Sequence, residues 1–136
     1  MSTATRPPRP PSYPACFITL LVADIALRAS GLRGAVRLAR RLAGRRPRGA
    51  QSEAVVTETV RRVATAATFY PRRALCLEQS LSLYILLARR GLPVDLRIGV
   101  HPMPFAAHAW VEHGGRPINE REDFVRGLTP FPSFES

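Results

Sequence analysis

The stretch from Cys76 to Gly91, CLEQSLSLYILLARRG, constrains the fold more than any other part of the chain. Leu77, Leu81, Tyr84, Ile85 and Ala88 recur at helical spacing, and Leu83, Leu86 and Leu87 widen their face until little of the circumference is polar. Such a helix must be enclosed by other elements. Glu78 in its first turn and Arg89 and Arg90 in its last complement the helix dipole, and Gly91 supplies a stop. Immediately afterwards the periodicity falls to two. Leu96, Ile98 and Val100 alternate with Arg97 and Gly99, which predicts a strand. A loop with Pro102 and Pro104 leads to a second strand, FAAHAWVE; HGG makes a turn and RPIN a short third strand. Helices first and an antiparallel sheet second predict an α+β fold with the central helix, carrying Cys76, packed on a small sheet.

Upstream, residues 15–28 and 32–46 read as helices broken at ASG and ended near Pro47. In the second, Ala35, Leu38, Ala39 and Leu42 lie opposite Arg33, Arg37, Arg40 and Arg41, an amphipathic basic helix. Ser52 and Glu53 open a further helix to about Thr68, with Val56, Val60, Val63 and Ala67 on one stripe and Pro71 preventing continuation. Residues 1–14, MSTATRPPRPPSYP, offer too little apolar surface to offset ordering and are expected as an extended, disordered tail. The expected organisation is therefore a tail (1–14), a basic helical docking segment (15–48) and a core (49–136), the last two forming one compact domain. The ending TPFPSFES carries no clear pattern.

Charge narrows the partners only partly. All 20 basic residues are Arg, and residues 1–50 hold ten of them against one acid, Asp24. That excess suits nucleic acid, an anionic membrane surface or an acidic polypeptide, and no nucleic-acid-binding motif favours the first. Cys16 and Cys76 form neither a CxxC pair nor a disulfide framework, so a reducing cytoplasm is expected. ACFITLLVADIAL resembles the apolar part of a signal peptide. It follows a Pro-rich leader, contains Asp24 and is short for a bilayer, so neither secretion nor a membrane span is expected.

The chemistry centres on FAAHAWVEH. Alternation puts Ala106, His108, Trp110 and Glu112 on one face and Phe105, Ala107, Ala109, Val111 and His113 on the other. His108 and His113 thus point apart, and adding Cys76 and His101 gives no usual zinc-ligand spacing, so no metal is expected. Pairing His108 with Cys76 is the more economical reading. A thiol in the first turn of a helix lies where unpaired N–H groups and the positive dipole end favour a thiolate. A nearby imidazole then activates it and returns the proton to a leaving amine. Taken alone, each residue is ordinarily inert: a Cys beside leucines packs the core, as is expected of Cys16, and a strand His is a satisfied polar group. Their joint placement makes the functional reading competitive. A third polar group must orient the imidazole, and INEREDF offers Asn119, Glu120, Glu122 and Asp123. The HGG turn brings Asn119 or Glu120 nearest; Glu120 is favoured, against its being a solvated acid. The Cys76 N–H would serve an oxyanion hole whose second donor the sequence does not identify; Gln79, one turn in, reads as a surface helix residue before it reads as that donor.

A helix-start Cys, a strand His and then an acid or amide is also the chain order of papain-like and transglutaminase-like thiol enzymes. More specifically, CLEQSLSLYILLARRGLPVDLRIGV, PFAAHAWVE and INE together resemble the transglutaminase-like leader peptidases of lasso-peptide biosynthesis, over roughly residues 50–131. The landmarks are Cys-Leu with Ser80 four residues on, Leu-Leu then Arg-Arg-Gly, and Ala-His-Ala-Trp-Val-Glu. The resemblance implies a cofactor-free cysteine peptidase that removes the leader from a ribosomally made precursor. Cys76 would be the nucleophile, His108 the base and Glu120 the orienting acid, at a position where Asp is common in the family. It also implies a separate leader-binding protein and an ATP-dependent cyclase as partners. Two other classes compete: a non-catalytic scaffold with the same fold, and a basic nucleic-acid or membrane-surface binder.

Overall fold

The computed structural model describes residues 8–44, 51–71, 76–102 and 105–130, apart from the side chains at 100–107 and 129–130. The first seven residues of the expected tail, the helix end near Pro47, residues 103–104 and the final six residues lie outside it. The described elements are α1 (Tyr13–Ala43), α2 (Glu53–Phe69), α3 (Cys76–Arg89), β1 (Val94–Pro102), β2 (Phe105–His113), β3 (Arg116–Pro117), α4 (Glu122–Arg126) and β4 (Thr129–Pro130). The strands form one antiparallel sheet in the order β3-β2-β1-β4. The expected α+β arrangement is present.

α3 is the centre of the molecule. Every residue from Ser80 to Ala88 is buried, because α1 and α2 cover it on one side and the sheet covers it on the other. Leu81, Leu83 and Leu87 are at most 1% exposed, and each contributes about 1.5–3 kcal/mol by leaving water. The helix stops at Gly91, whose φ of 81° lets Leu92 N–H turn back onto the Leu87 carbonyl. On the sheet, Leu96 and Ile98 of β1 and Ala109 and Val111 of β2 face α3, as alternation predicts.

The two helices expected around ASG are one kinked helix. Gly31, at φ 70° and ψ −173°, makes the break, and helical geometry resumes at once. The second half ends at Ala43, before the expected 46, with Gly44 as C-cap. Cys16, Leu20, Ala23, Ala35, Val36 and Ala39 pack into the core, leaving Arg33, Arg37 and Arg41 exposed and Arg40 half-buried. α1 is long and apolar enough, by length and composition alone, to cross a membrane, although its first half by itself is short for a bilayer. Its Asp24 is buried and accepts a hydrogen bond from Tyr70 Oη at 2.9 Å, tying α1 to the end of α2.

Residues 9–14, expected as part of the disordered tail, are tied to the helices. Ser12 caps α1 by accepting from Ala15 N–H, Pro11 is buried with its carbonyl bonded by Arg62, and the Arg9 carbonyl accepts from Arg90 Nε. Backbone carbonyls bonded by distant arginines, together with the buried Pro11 side chain, hold this segment, and its composition gave no hint of those bonds. In α2 the buried stripe is Val55, Val56, Thr59, Val63 and Ala66, rotated slightly from the expected one, with Val60 and Ala67 at its margin.

Candidate active site

Cys76 is the first residue of α3, and His108 is near the middle of β2, on the face opposite Ala109 and Val111. The Sγ of Cys76 lies 4.0 Å from Nδ1 of His108, at the outer edge of hydrogen-bonding range for sulfur. Contact is possible because of where β2 ends its pairing. β3 pairs only with Glu112 and His113, so the side of β2 turned away from β1 has no strand neighbour beside residues 108–110. The first turn of α3 runs along that edge, which brings Cys76 level with the imidazole. Both groups are half-buried, reachable yet partly shielded from water. Resting thiol–imidazole pairs are often long and tighten when substrate binds.

Among the described residues, the other groups packed near His108 are apolar. The Phe124 ring of α4 meets the imidazole edge-on, with centroids 4.8 Å apart and planes at 83°. Gly99 is paired across from His108 on β1, and a methyl group there would come within 2.9 Å of Leu128 Cβ and 3.0 Å of Trp110 Cη2. The segment after β3 therefore folds down over this face. Trp110 is buried beneath it and donates from Nε1 to Glu112 Oε2 at 2.9 Å, and Glu112 in turn faces Arg97 at 3.4 Å.

Of the four candidates for an orienting group, three are bonded to other partners. Asn119 accepts from Val111 N–H through Oδ1 and donates from Nδ2 to Ser80 Oγ, both at 2.8 Å. Glu120 accepts from the adjacent Arg121 N–H, while Asp123 binds the Arg121 guanidinium and the Phe124 N–H. Glu122 is exposed in the first turn of α4. Among the described residues no carboxylate or amide is hydrogen-bonded to the His108 ring. The structure thus brings together Cys76 and His108, with Glu120 one residue beyond a fixed Asn119 and not in contact with the imidazole.

The remaining sulfur and imidazoles stand apart from this pair. Cys16 is fully buried, and that burial raises its thiol pKa, keeping it neutral and unreactive as expected of a core residue. His113 points to the other face, with Nδ1 3.2 Å from the Pro93 carbonyl and Nε2 3.2 Å from Glu53. The His101 side chain lies outside the described residues. No group of three or more His, Cys, Asp or Glu among the described residues is arranged to hold a metal ion. Sequence reasoning missed the use of Asn119 and Ser80 as partners. Its one available signal was an amide, able to donate and accept at once, directly after a very short strand.

A family model described as the transglutaminase-like superfamily matches residues 19–133. The match takes in most of α1, well beyond the residue-50 start suggested by the motifs alone. The microcin J25-processing protein McjB of Escherichia coli is 44% identical over 45 residues, which are 33% of this chain and 22% of that protein's length. The chain is thus aligned to about a fifth of that relative. No solved structure matches.

Proposed function

Because the chain belongs to the transglutaminase-like superfamily, we propose that it is a cysteine peptidase that removes the leader from a ribosomally made lasso-peptide precursor. The observation that carries this reading is the 4.0 Å approach of Cys76 Sγ to His108 Nδ1 between a helix start and an accessible strand edge. Similarity to a protein named for processing microcin J25 supports the substrate class.

In the proposed reaction the imidazole takes the Cys76 proton, and the sulfur bonds to the carbonyl carbon of the last leader residue. The Cys76 N–H, at the start of α3, would donate to the developing oxyanion. The carbon–nitrogen bond then breaks, with the imidazolium delivering its proton to the amine of the first core residue. The leader is left as a thioester on Cys76. His108 next draws a proton from water, whose oxygen attacks the thioester carbon; a leader carboxylate departs and the thiol is regenerated. The freed core amine would pass to an ATP-dependent cyclase for macrolactam formation. Glu120 is proposed to swing onto His108 when substrate binds, its side chain turning about the fixed Asn119. A leader-binding partner would deliver the precursor, and a reducing cytoplasm would keep both free cysteines as thiols.

The test is cleavage of a leader-bearing precursor, followed by mass spectrometry, in the presence of its leader-binding protein. Wild type should yield leader and core, whereas Cys76→Ala and His108→Ala, each folded, should lose cleavage by several orders of magnitude. Equal cleavage by Cys76→Ala would reject the reading in favour of a scaffold.

A further inference from the structure

We propose that Ser80 and Asn119 are positioning residues, a two-membered clamp that sets the register of Cys76 against His108. The inference rests on the peptidase reading and adds to it the device that holds the site in shape. Ser80 is one helical turn after Cys76, and its Oγ donates to the carbonyl of Ala109, the residue after His108, at 2.8 Å. The same Oγ accepts from Asn119 Nδ2 at 2.8 Å, and Asn119 immediately precedes Glu120. Each bonded residue therefore stands one turn or one residue from a member of the proposed triad.

The geometry explains why a side chain does this work. Ala109 and Val111 direct their N–H and C=O groups to the same side of β2, away from β1. On that side the Val111 carbonyl accepts from Ile118 N–H, the Val111 N–H is taken by Asn119 Oδ1, and the Ala109 carbonyl is taken by Ser80 Oγ. The clamp completes the open edge of β2 in place of a longer third strand. Ser80 is fully buried, so its hydroxyl has no water to fall back on. Losing it leaves the Ala109 carbonyl and an Asn119 N–H unpaired together. Hydrophobic packing alone would let α3 slide along the sheet by a fraction of an ångström; two directional bonds at one point prevent it. A thiol and imidazole already 4.0 Å apart tolerate little such slip.

Iodoacetamide alkylation of Cys76, followed on its own peptide by mass spectrometry, tests this without knowledge of the natural substrate. Wild type and His108→Ala, compared at one pH, measure the advantage that the imidazole confers. Trp110 fluorescence identifies a temperature at which each variant is folded. Ser80→Ala and the isosteric Asn119→Asp, which keeps the acceptor for Val111 N–H and removes the donor to Ser80, should each lose that advantage by on the order of tenfold. The double variant should be no slower than the slower single one, because both substitutions break one unit. Ser80→Thr, which retains a hydroxyl, should recover most of the rate. Folded Ser80→Ala and Asn119→Asp proteins with the wild-type advantage would overturn the clamp while leaving the dyad standing. Equal alkylation of wild type and His108→Ala would overturn the dyad and the clamp with it.

Discussion

Gly99 shows how closely single residues are fitted around the imidazole. A methyl group there would meet Leu128 Cβ at 2.9 Å, near the backbone, and the six-membered ring of Trp110 just beyond. Neither can yield without moving the segment that holds Phe124 against His108. Gly99→Ala should therefore destabilise the protein by about 1–3 kcal/mol, read from urea unfolding, and should slow Cys76 alkylation even where the protein is folded. Cys76 and His108 were legible in the sequence because both assignments are local: a helix start marked by an apolar period, and one side of a two-residue alternation. Asn119 was legible only as a nearby polar group. Its partner Ser80 is 39 positions away, and no local pattern announces which of two neighbouring polar residues turns inward. The place of Glu120 was illegible for the same reason, since Asn119 takes the inward direction and Glu120 bonds to its neighbour.

Elements were legible where their apolar periods were long, and misread where polar groups decide the boundary. α3 and β1 follow the sequence pattern closely. The start of α1 does not, because arginine side chains from α2 and from the end of α3 grasp the carbonyls of Pro11 and Arg9. Glu58 supports this junction by accepting from Arg61 and Arg62. Hydrogen bonds from Arg61, and next from Arg62, lower its carboxyl pKa from 4.5 to about 2. A lowered folded pKa means that its stabilisation is present above about 4.5 and is lost as pH falls through about 2. The melting temperature of Glu58→Gln should lie slightly below wild type at pH 7, the two values converging as pH approaches 2. The kink in α1 gives a second test. Gly31 occupies a backbone region that is nearly closed to other residues, with nothing within 4 Å of the point where a methyl group would stand. Gly31→Ala should cost about 1–3 kcal/mol through backbone strain alone, measured by chemical denaturation.

At the scale of the molecule, charge sets α1 apart in the sequence, although it was expected to form one compact domain with the core; in the structure α1 packs on α3 and α2. The residues that make α1 basic are its outer face, and its core side is made of Cys16, Leu20, Val36 and alanines. The motifs that carry the resemblance lie beyond residue 50, whereas the family match begins at 19 and so takes in this core side of α1. The arginines on the outer face of α1 are proposed as the surface that receives a leader-bearing partner. Replacing Arg37, Arg40 and Arg41 with Glu should weaken the affinity for a leader complex by at least about tenfold, read by titration calorimetry, with Cys76 alkylation unchanged; unaltered affinity would place docking elsewhere. The central claim, that Cys76 carries the acyl group while His108 moves the proton, is tested most directly by acid-quenching the protein during precursor cleavage and weighing its Cys76 peptide. The account predicts a transient mass increase equal to the leader acyl group, abolished by hydroxylamine and absent in Cys76→Ala; cleavage at the wild-type rate by Cys76→Ala would contradict it.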